Sequence, residues 1–204
     1  SGATAIKQAW PQTILGQNVF FVDFADPLNV DHFVAQNGQW RESGGMYEQF
    51  EQGENAISLC GYDPSAAHIT AIKMRFVNDI ADHRAGIVIH QSVSDSGVTT
   101  AFVCYYDKTA GKIRIASIDT EEMADPVVLA SSASDFVWSA DTDYWLLARI
   151  VYGYIQVWYS IDGVNYVLAV SSTATSGQLG PHGYTGLYAY IDNADETTAL
   201  IRFD

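Results

Sequence analysis

The chain has 204 residues, 48% of them hydrophobic, with 12 Tyr, 9 Phe and 5 Trp, which is enough to bury one sizeable core without covalent staples. Its 10 Lys and Arg stand against 24 Asp and Glu, a net charge of −14, and a field of that sign repels phosphate backbones and anionic headgroups, so nucleic acid and membrane surfaces are poor partners. Calcium, neutral glycans and other proteins remain open, as does a purely solubilising role for the surface acids.

No run of about 18 apolar residues exists to span a bilayer, and no signal peptide is visible. The opening Ser1-Gly2 reads as a cloning remnant, and a removed leader or excision from a longer protein would look the same. Cys60 and Cys104 are the only cysteines, too few for a disulfide framework and without the spacing of a metal or redox motif. Each lies in an apolar run and reads as a buried thiol, with a bridge between them the alternative.

Residues 1–18, with Trp10-Pro11 and Gly16, read as a lead-in or linker, and 19–204 as one domain. From Phe20 onward short β-type runs alternate with turn signals at a spacing of roughly 8–14 residues, the rhythm of a sandwich or barrel. The runs cover 20–24, 46–52, 56–62, 68–77, 86–93, 99–106, 112–118, 127–130, 144–151, 154–160, 166–170, 183–191 and 197–203. Thr70, Ile72, Met74 and Phe76 take one face while Ala71, Lys73 and Arg75 take the other, and Ile113 and Ile115 oppose Lys112 and Arg114. Period two with one wet face is the antiparallel pattern. No segment keeps a 3.6-residue period for three turns, and a single helical turn near 119–124 is the most expected. Hairpins are signalled at 108–111, Tyr152-Gly153 and Asp162-Gly163, because those residues tolerate positive φ.

Three stretches carry a family resemblance. Phe24-Ala25-Asp26-Pro27-Leu28, then Trp40 and Gly45-Met46-Tyr47, resemble an opening strand followed by a W-x-x-x-x-G-x-L strand. Asp143-Tyr144-Trp145 through Arg149, then Ile155 to Tyr166 with Asp162-Gly163, resemble a late hairpin. Gly186-Leu187 and the closing Phe203-Asp204 resemble its ending. In order and spacing they are similar to the concanavalin A-like lectin/glucanase superfamily, especially its laminin-G-like and glucanase-related modules. The resemblance implies an all-β, two-sheet antiparallel jelly-roll sandwich, a recognition role in a secreted, cell-surface or virion-borne protein, and one structural calcium ion. The matching calcium positions are Asp23 or Asp26, the backbone at Gly45, and Asp204, with a merely frayed terminus as the alternative for Asp204.

No active site assembles in the sequence. Glycoside hydrolysis needs two carboxylates about 5–9 Å apart, and the family's E-x-D-x-x-E strand is missing. Glu121-Glu122 with Asp119 and Asp125 reads as a solvated loop, and Glu48 and Glu51 have the wrong parity to share a strand face. The five histidines are scattered, and no nucleophile elbow or phosphate loop occurs. Ser160-Ile161-Asp162-Gly163 faintly resembles a sialidase Asp box but lacks the residue between Asp and Gly, so a hairpin turn is the better reading. Trp145 and Trp158 read as core.

Six of the ten cations lie between 73 and 114. Lys73, Arg75 and Arg114 occupy polar-face slots, His90 joins them, and Tyr106 is the stacking ring alongside. Together these five are the expected ligand-binding face, suited to a carboxylated or sulfated sugar, against the alternative of a solvated strand face. The sequence thus points to a non-catalytic recognition module for a glycan. A structural or adhesion domain that contacts protein is the second reading, and a hydrolase without the usual carboxylate run the third.

Overall fold

The computed structural model describes residues 24–61, 67–77, 82–93, 99–173, 183–192 and 201–204. The lead-in 1–18, Asp23 and most of the predicted run 20–24 lie outside them. Strands make up 64% of the described residues. They are β1 (Phe33–Asn37), β2 (Trp40–Ser43), β3 (Met46–Gln49), β4 (Asn55–Cys60), β5 (Ala67–Phe76), β6 (His83–Val93), β7 (Thr99–Asp107), β8 (Lys112–Asp119), β9 (Val127–Ser131), β10 (Asp143–Val151), β11 (Tyr154–Ser160), β12 (Val167–Thr173), β13 (Tyr184–Ile191) and β14 (Ile201–Phe203). A short 3₁₀ turn, Pro27–His32, precedes β1; Asp26 caps it by accepting from Leu28 N at 3.1 Å.

The strands form two antiparallel sheets of seven. Sheet I runs β1-β4-β13-β6-β7-β8-β9, and sheet II runs β12-β11-β10-β5-β14-β3-β2. Alternation drives the assembly. Ile72, Met74 and Phe76 from β5, Leu146, Ala148 and Ile150 from β10, and Phe203 from β14 meet Ile87 and Ile89 of β6, Phe102 and Cys104 of β7, and Ile113 and Ile115 of β8 between the sheets. Each large aliphatic or aromatic side chain buried there contributes roughly 1.5–3 kcal/mol. Cys60 and Cys104 are buried and form no disulfide.

Turn chemistry fixes the register. Gly44-Gly45 joins β2 to β3 with φ of 63° and 80°, and Tyr152-Gly153 joins β10 to β11 with φ of 47° and 84°, the positive-φ pairs that match the twist of a two-residue hairpin. The loop after β11 is wider than a tight hairpin. The Asp162 carboxylate gathers it, accepting from Ser160 Oγ, Val164 N and Asn165 N at 2.8 Å each and from Asn165 Nδ2 at 2.7 Å. Residues 120–123 are a turn in which Met123 N donates to Asp119 O at 2.9 Å.

Neither β1 nor β2 matches one of the predicted runs, and β6 is longer than the run 86–93. β1 is an edge strand whose middle residues are exposed, so it lacks a buried face to write a period of two. β6 begins earlier than its apolar run suggests, because it opens on His83-Arg84.

Candidate ligand-binding face

Because one side of each sheet feeds the core, the alternate residues stand on its outer face, and register sorts them into rows. On sheet I, Asn55, Tyr190, Arg84, Asp107 and Lys112 are successive cross-strand partners over β4, β13, β6, β7 and β8. The next row is Ile57, Tyr188, Gly86, Tyr105 and Arg114, and the third is Leu59, Gly186, Val88, Val103 and Ala116. The face is therefore polar at one end and apolar beyond. Gly86 puts no side chain between its neighbours, and the Tyr105 and Tyr188 rings close over it to 5.2 Å.

At the polar end the charges are drawn in from solvent. The Arg84 guanidinium lies over the Tyr190 ring at 4.6 Å. It donates to Asp82 at 3.4 Å and to Asp125 at 3.2 Å. Arg114 donates to Asp107 at 2.9 Å. The side chains of Arg84, Arg114 and Asp107 are only 17%, 26% and 6% exposed. Burial works against the Arg84 charge, but Tyr188, Asp82 and Asp125 outweigh it and raise its pKa further. Burial likewise pushes the Tyr188 hydroxyl up, and that hydroxyl donates to Asn55 Oδ1 at 2.7 Å. The Nε atoms of Arg84 and Arg114 are buried and donate to nothing among the described residues.

Residues 119–126 form a strap over this face. Thr120 N donates to Thr99 O at 3.1 Å and Gln91 Nε2 to Thr120 Oγ1 at 3.0 Å. The Met123 side chain packs on the apolar rows, and Asn55 Nδ2 donates to the carbonyls of Met123 and Ala124 at 3.1 and 3.3 Å. Asp125 then meets Arg84. Met123 holds a φ of 48°, an uncommon conformation for a residue with a side chain.

The outer face of sheet II is built differently. Arg41, Glu48, Arg202, Arg75 and Asp143 are successive partners across β2, β3, β14, β5 and β10. Arg75 donates to Asp143 at 2.6 Å, and Lys73 stands 2.6 Å from Asp204 and 3.4 Å from Asp143. Beside this ion-paired half lie Trp145, Trp158 and Tyr166 on Ile69, Ala71 and Leu147. The two tryptophans are therefore outside the main core, because their neighbours Leu146 and Val157 hold the inward slots.

The five residues expected to share a face are divided between three places. Lys73 and Arg75 are together on sheet II. Arg114 faces outward too, but from sheet I on the opposite side of the sandwich. Tyr106 points between the sheets and packs on Phe76 and Tyr144, whereas its neighbour Tyr105 takes the outer face. His90 is buried: a bulge between Val88 and His90 resets the alternation, so His90 pairs with the core residue Phe102 and lies against Gly183. Arg114 pairs with Asp107 and stands across from Tyr105, on the same face as Arg84, Tyr188 and Tyr190, which the sequence reading left out of the site. The Tyr188-x-Tyr190 spacing was the available signal.

For calcium, Asp26 is engaged as a helix cap, and its chain neighbour Ala25 packs against Gly45. Asp204 is held by Lys73. Among the described residues no three His, Cys, Asp or Glu side chains gather as a metal site; Asp23 lies outside them.

No protein-family model matches the sequence, and no curated protein is similar to it in sequence. The fold is that of known structures. The carbohydrate binding module CBM66 from Bacillus subtilis superposes with a TM-score of 0.63 at 11% identity, over 85% of this chain and 92% of that one. Lectin I-B4 from Griffonia simplicifolia gives 0.60 at 11% identity, over 89% and 95%. The GH43 protein BlXynB from Bacillus licheniformis gives 0.51 at 14% identity, over 81% of this chain but 33% of its own length. The chain is a concanavalin A-like jelly-roll sandwich.

Proposed function

We propose that the chain is a non-catalytic recognition domain that binds a glycan at the polar end of the outer face of sheet I. The observation that carries this reading is the row Asn55, Tyr190, Arg84, Asp107 and Lys112, joined by Arg114, in which guanidinium groups, a carboxylate and a ring are drawn together and largely desolvated. Desolvated ion pairs seldom stabilise a fold relative to apolar packing, so recognition is a better reason for them than stability. Sugar hydroxyls accept from guanidinium and donate to carboxylate, while a tyrosine ring covers their C–H face. The lectin and carbohydrate-binding likenesses support the reading at the level of fold, and fold alone does not assign function. A glycan array probed with wild type, Tyr190→Ala and Arg84→Gln tests it: binding that both substitutions weaken supports this face, and binding that neither changes removes it.

One observation favours a protein-contacting adhesion domain instead. The edge strand β9 exposes Val127, Val128 and Leu129 in succession, an uncharged edge open to another chain. A partner footprint confined to β9 would establish that reading.

The proposal includes a secreted, cell-surface or virion setting within a larger protein. It also includes one calcium ion at Asp23, Asp26, Gly45 and Asp204, which would have to take Asp204 from Lys73. An ion bound only by the folded state raises the melting temperature, and identical melting curves in calcium and in chelator would remove it.

A further inference from the structure

We infer that Asp125 occupies, on Arg84, the place of a carboxylate carried by the ligand, so that the glycan recognised at this face is a singly charged acidic sugar. The inference rests on the proposed glycan site and adds to it the ligand class and the group the ligand displaces.

Arg84 is anchored by groups outside the strap. Its guanidinium is stacked on Tyr190 and paired with Asp82 two residues earlier on the chain, so its position does not depend on the strap. Asp125 is different: its side chain is 82% exposed and reaches Arg84 through one 3.2 Å contact. An exposed pair of that kind is worth little, so it is the contact most readily exchanged. A ligand carboxylate has two oxygens and matches the fork of a guanidinium better than one oxygen of Asp125 does.

The strap is also built to let go. Met123 sits in the left-handed region, a conformation that costs free energy and persists only while its surroundings enforce it. Its carbonyl and that of Ala124 are held by a single amide, Asn55 Nδ2. Charge balance limits the ligand. The net charge of −14 opposes polyanions, and a ligand with a single carboxylate adds only one further negative charge at Arg84. The ring of Tyr190 beside Arg84 distinguishes a sugar acid from a simple anion.

Titration with sodium glucuronate, glucose or sodium acetate at constant ionic strength, followed by the ¹⁵N resonance of Arg84 Nε, tests the inference in wild type, Asp125→Asn and Arg84→Gln. Because Asp125 is exposed, its substitution leaves the fold in place, and far-UV spectra verify this for both variants. Glucuronate should shift the resonance, bind roughly two- to fivefold more tightly to Asp125→Asn, the range an exposed ion pair is worth, and lose its binding in Arg84→Gln. Unchanged or weaker glucuronate binding by Asp125→Asn overturns the inference, and so does acetate binding as well as glucuronate. Neutral glycans that bind the array while glucuronate does not would overturn it and leave the glycan reading intact. If no glycan binds any variant, that reading itself fails.

Discussion

Gly86 on β6 faces Tyr105 on β7 with no room for a side chain between them: a β-carbon on Gly86 would stand 2.5 Å from the Tyr105 Cα and collide with the Cys104 carbonyl. The contacts are to backbone, which cannot swing aside as a side-chain tip does. Gly86→Ala should therefore destabilise the fold by roughly 1–3 kcal/mol, the usual cost of overpacking. Chemical denaturation measures it as a lower midpoint at an unchanged m-value. Because the Tyr105 and Tyr188 rings close over this glycine, the same variant should disturb the outer face of sheet I. A midpoint equal to wild type would contradict the packing described.

Glu48 is the pivot of the sheet II charge row. Its side chain is 1% exposed, with Arg202 Nε at 2.6 Å and Arg41 Nε at 3.0 Å. The two arginines are not equivalent, since Arg41 is 51% exposed and Arg202 32%. Arg41→Met should cost under about 1 kcal/mol, as exposed pairs do. Arg202→Met leaves the buried carboxylate with only its exposed partner and should cost more, roughly 2–3 kcal/mol. The double variant Arg202→Met with Glu48→Met should recover part of that loss, because an apolar pair removes the stranded charge. Equal costs for the two single variants would show that burial does not govern this row.

Much of this architecture was legible in the sequence because alternation is a local signal. Ile72, Met74 and Phe76 against Lys73 and Arg75 placed each side chain correctly as inward or outward, and so did Ile113 and Ile115 against Arg114. Alternation says nothing about which sheet a strand joins, which is why Arg75 and Arg114 were expected on one face and lie on opposite sides of the sandwich. His90 departs from its expected face for a different reason: a bulge inserts one residue and inverts the parity that follows. Tyr105 and Tyr106 differ only in parity, and a buried sheet with apolar residues on both faces, as at 101–106, gives no wet side to orient them. The strap was visible as an acidic turn, but its reach to Asn55 and Arg84 depends on a tertiary crossing that no local pattern encodes.

Stability should fall in acid partly through Asp143. Burial alone would raise its carboxyl, yet the hydrogen bond from Arg75 and the charges of Lys73 and Arg75 outweigh that and hold it below the usual carboxylate range. A group with a depressed folded pKa adds stability above its unfolded value, near about 3.9 for Asp, and that stability is lost as pH falls through the folded value. At pH 7 Asp143→Asn should be less stable than wild type by about 1 kcal/mol, a charge-assisted hydrogen bond discounted for partial exposure. Denaturation from pH 7 down to 2 should show the difference shrinking below pH 4. A difference that stays constant over that range would mean Asp143 acts through shape and not charge.

Asn55 holds two things at once, and they separate by substitution. Its Oδ1 accepts from the buried Tyr188 hydroxyl at 2.7 Å, while its Nδ2 donates to the strap carbonyls of Met123 and Ala124. Asn55→Ala removes both, leaving a buried hydroxyl without its acceptor at a cost of roughly 1–3 kcal/mol. Asn55→Asp keeps an acceptor for Tyr188 but buries a carboxylate that faces the two carbonyls, so the strap loses its tie and a desolvation cost is added. Both variants should speed hydrogen exchange at the Thr120 and Met123 amides, which donate to Thr99 and Asp119, because local opening of a weakly held segment needs less than global unfolding. Global stability should drop in both variants, and at least as far in Asn55→Asp, whose buried carboxylate has no cation to pair with among the groups Asn55 contacts. Exchange at those two amides that stays at the wild-type rate in Asn55→Asp would show that the strap is held by Met123 packing and not by the Asn55 amide.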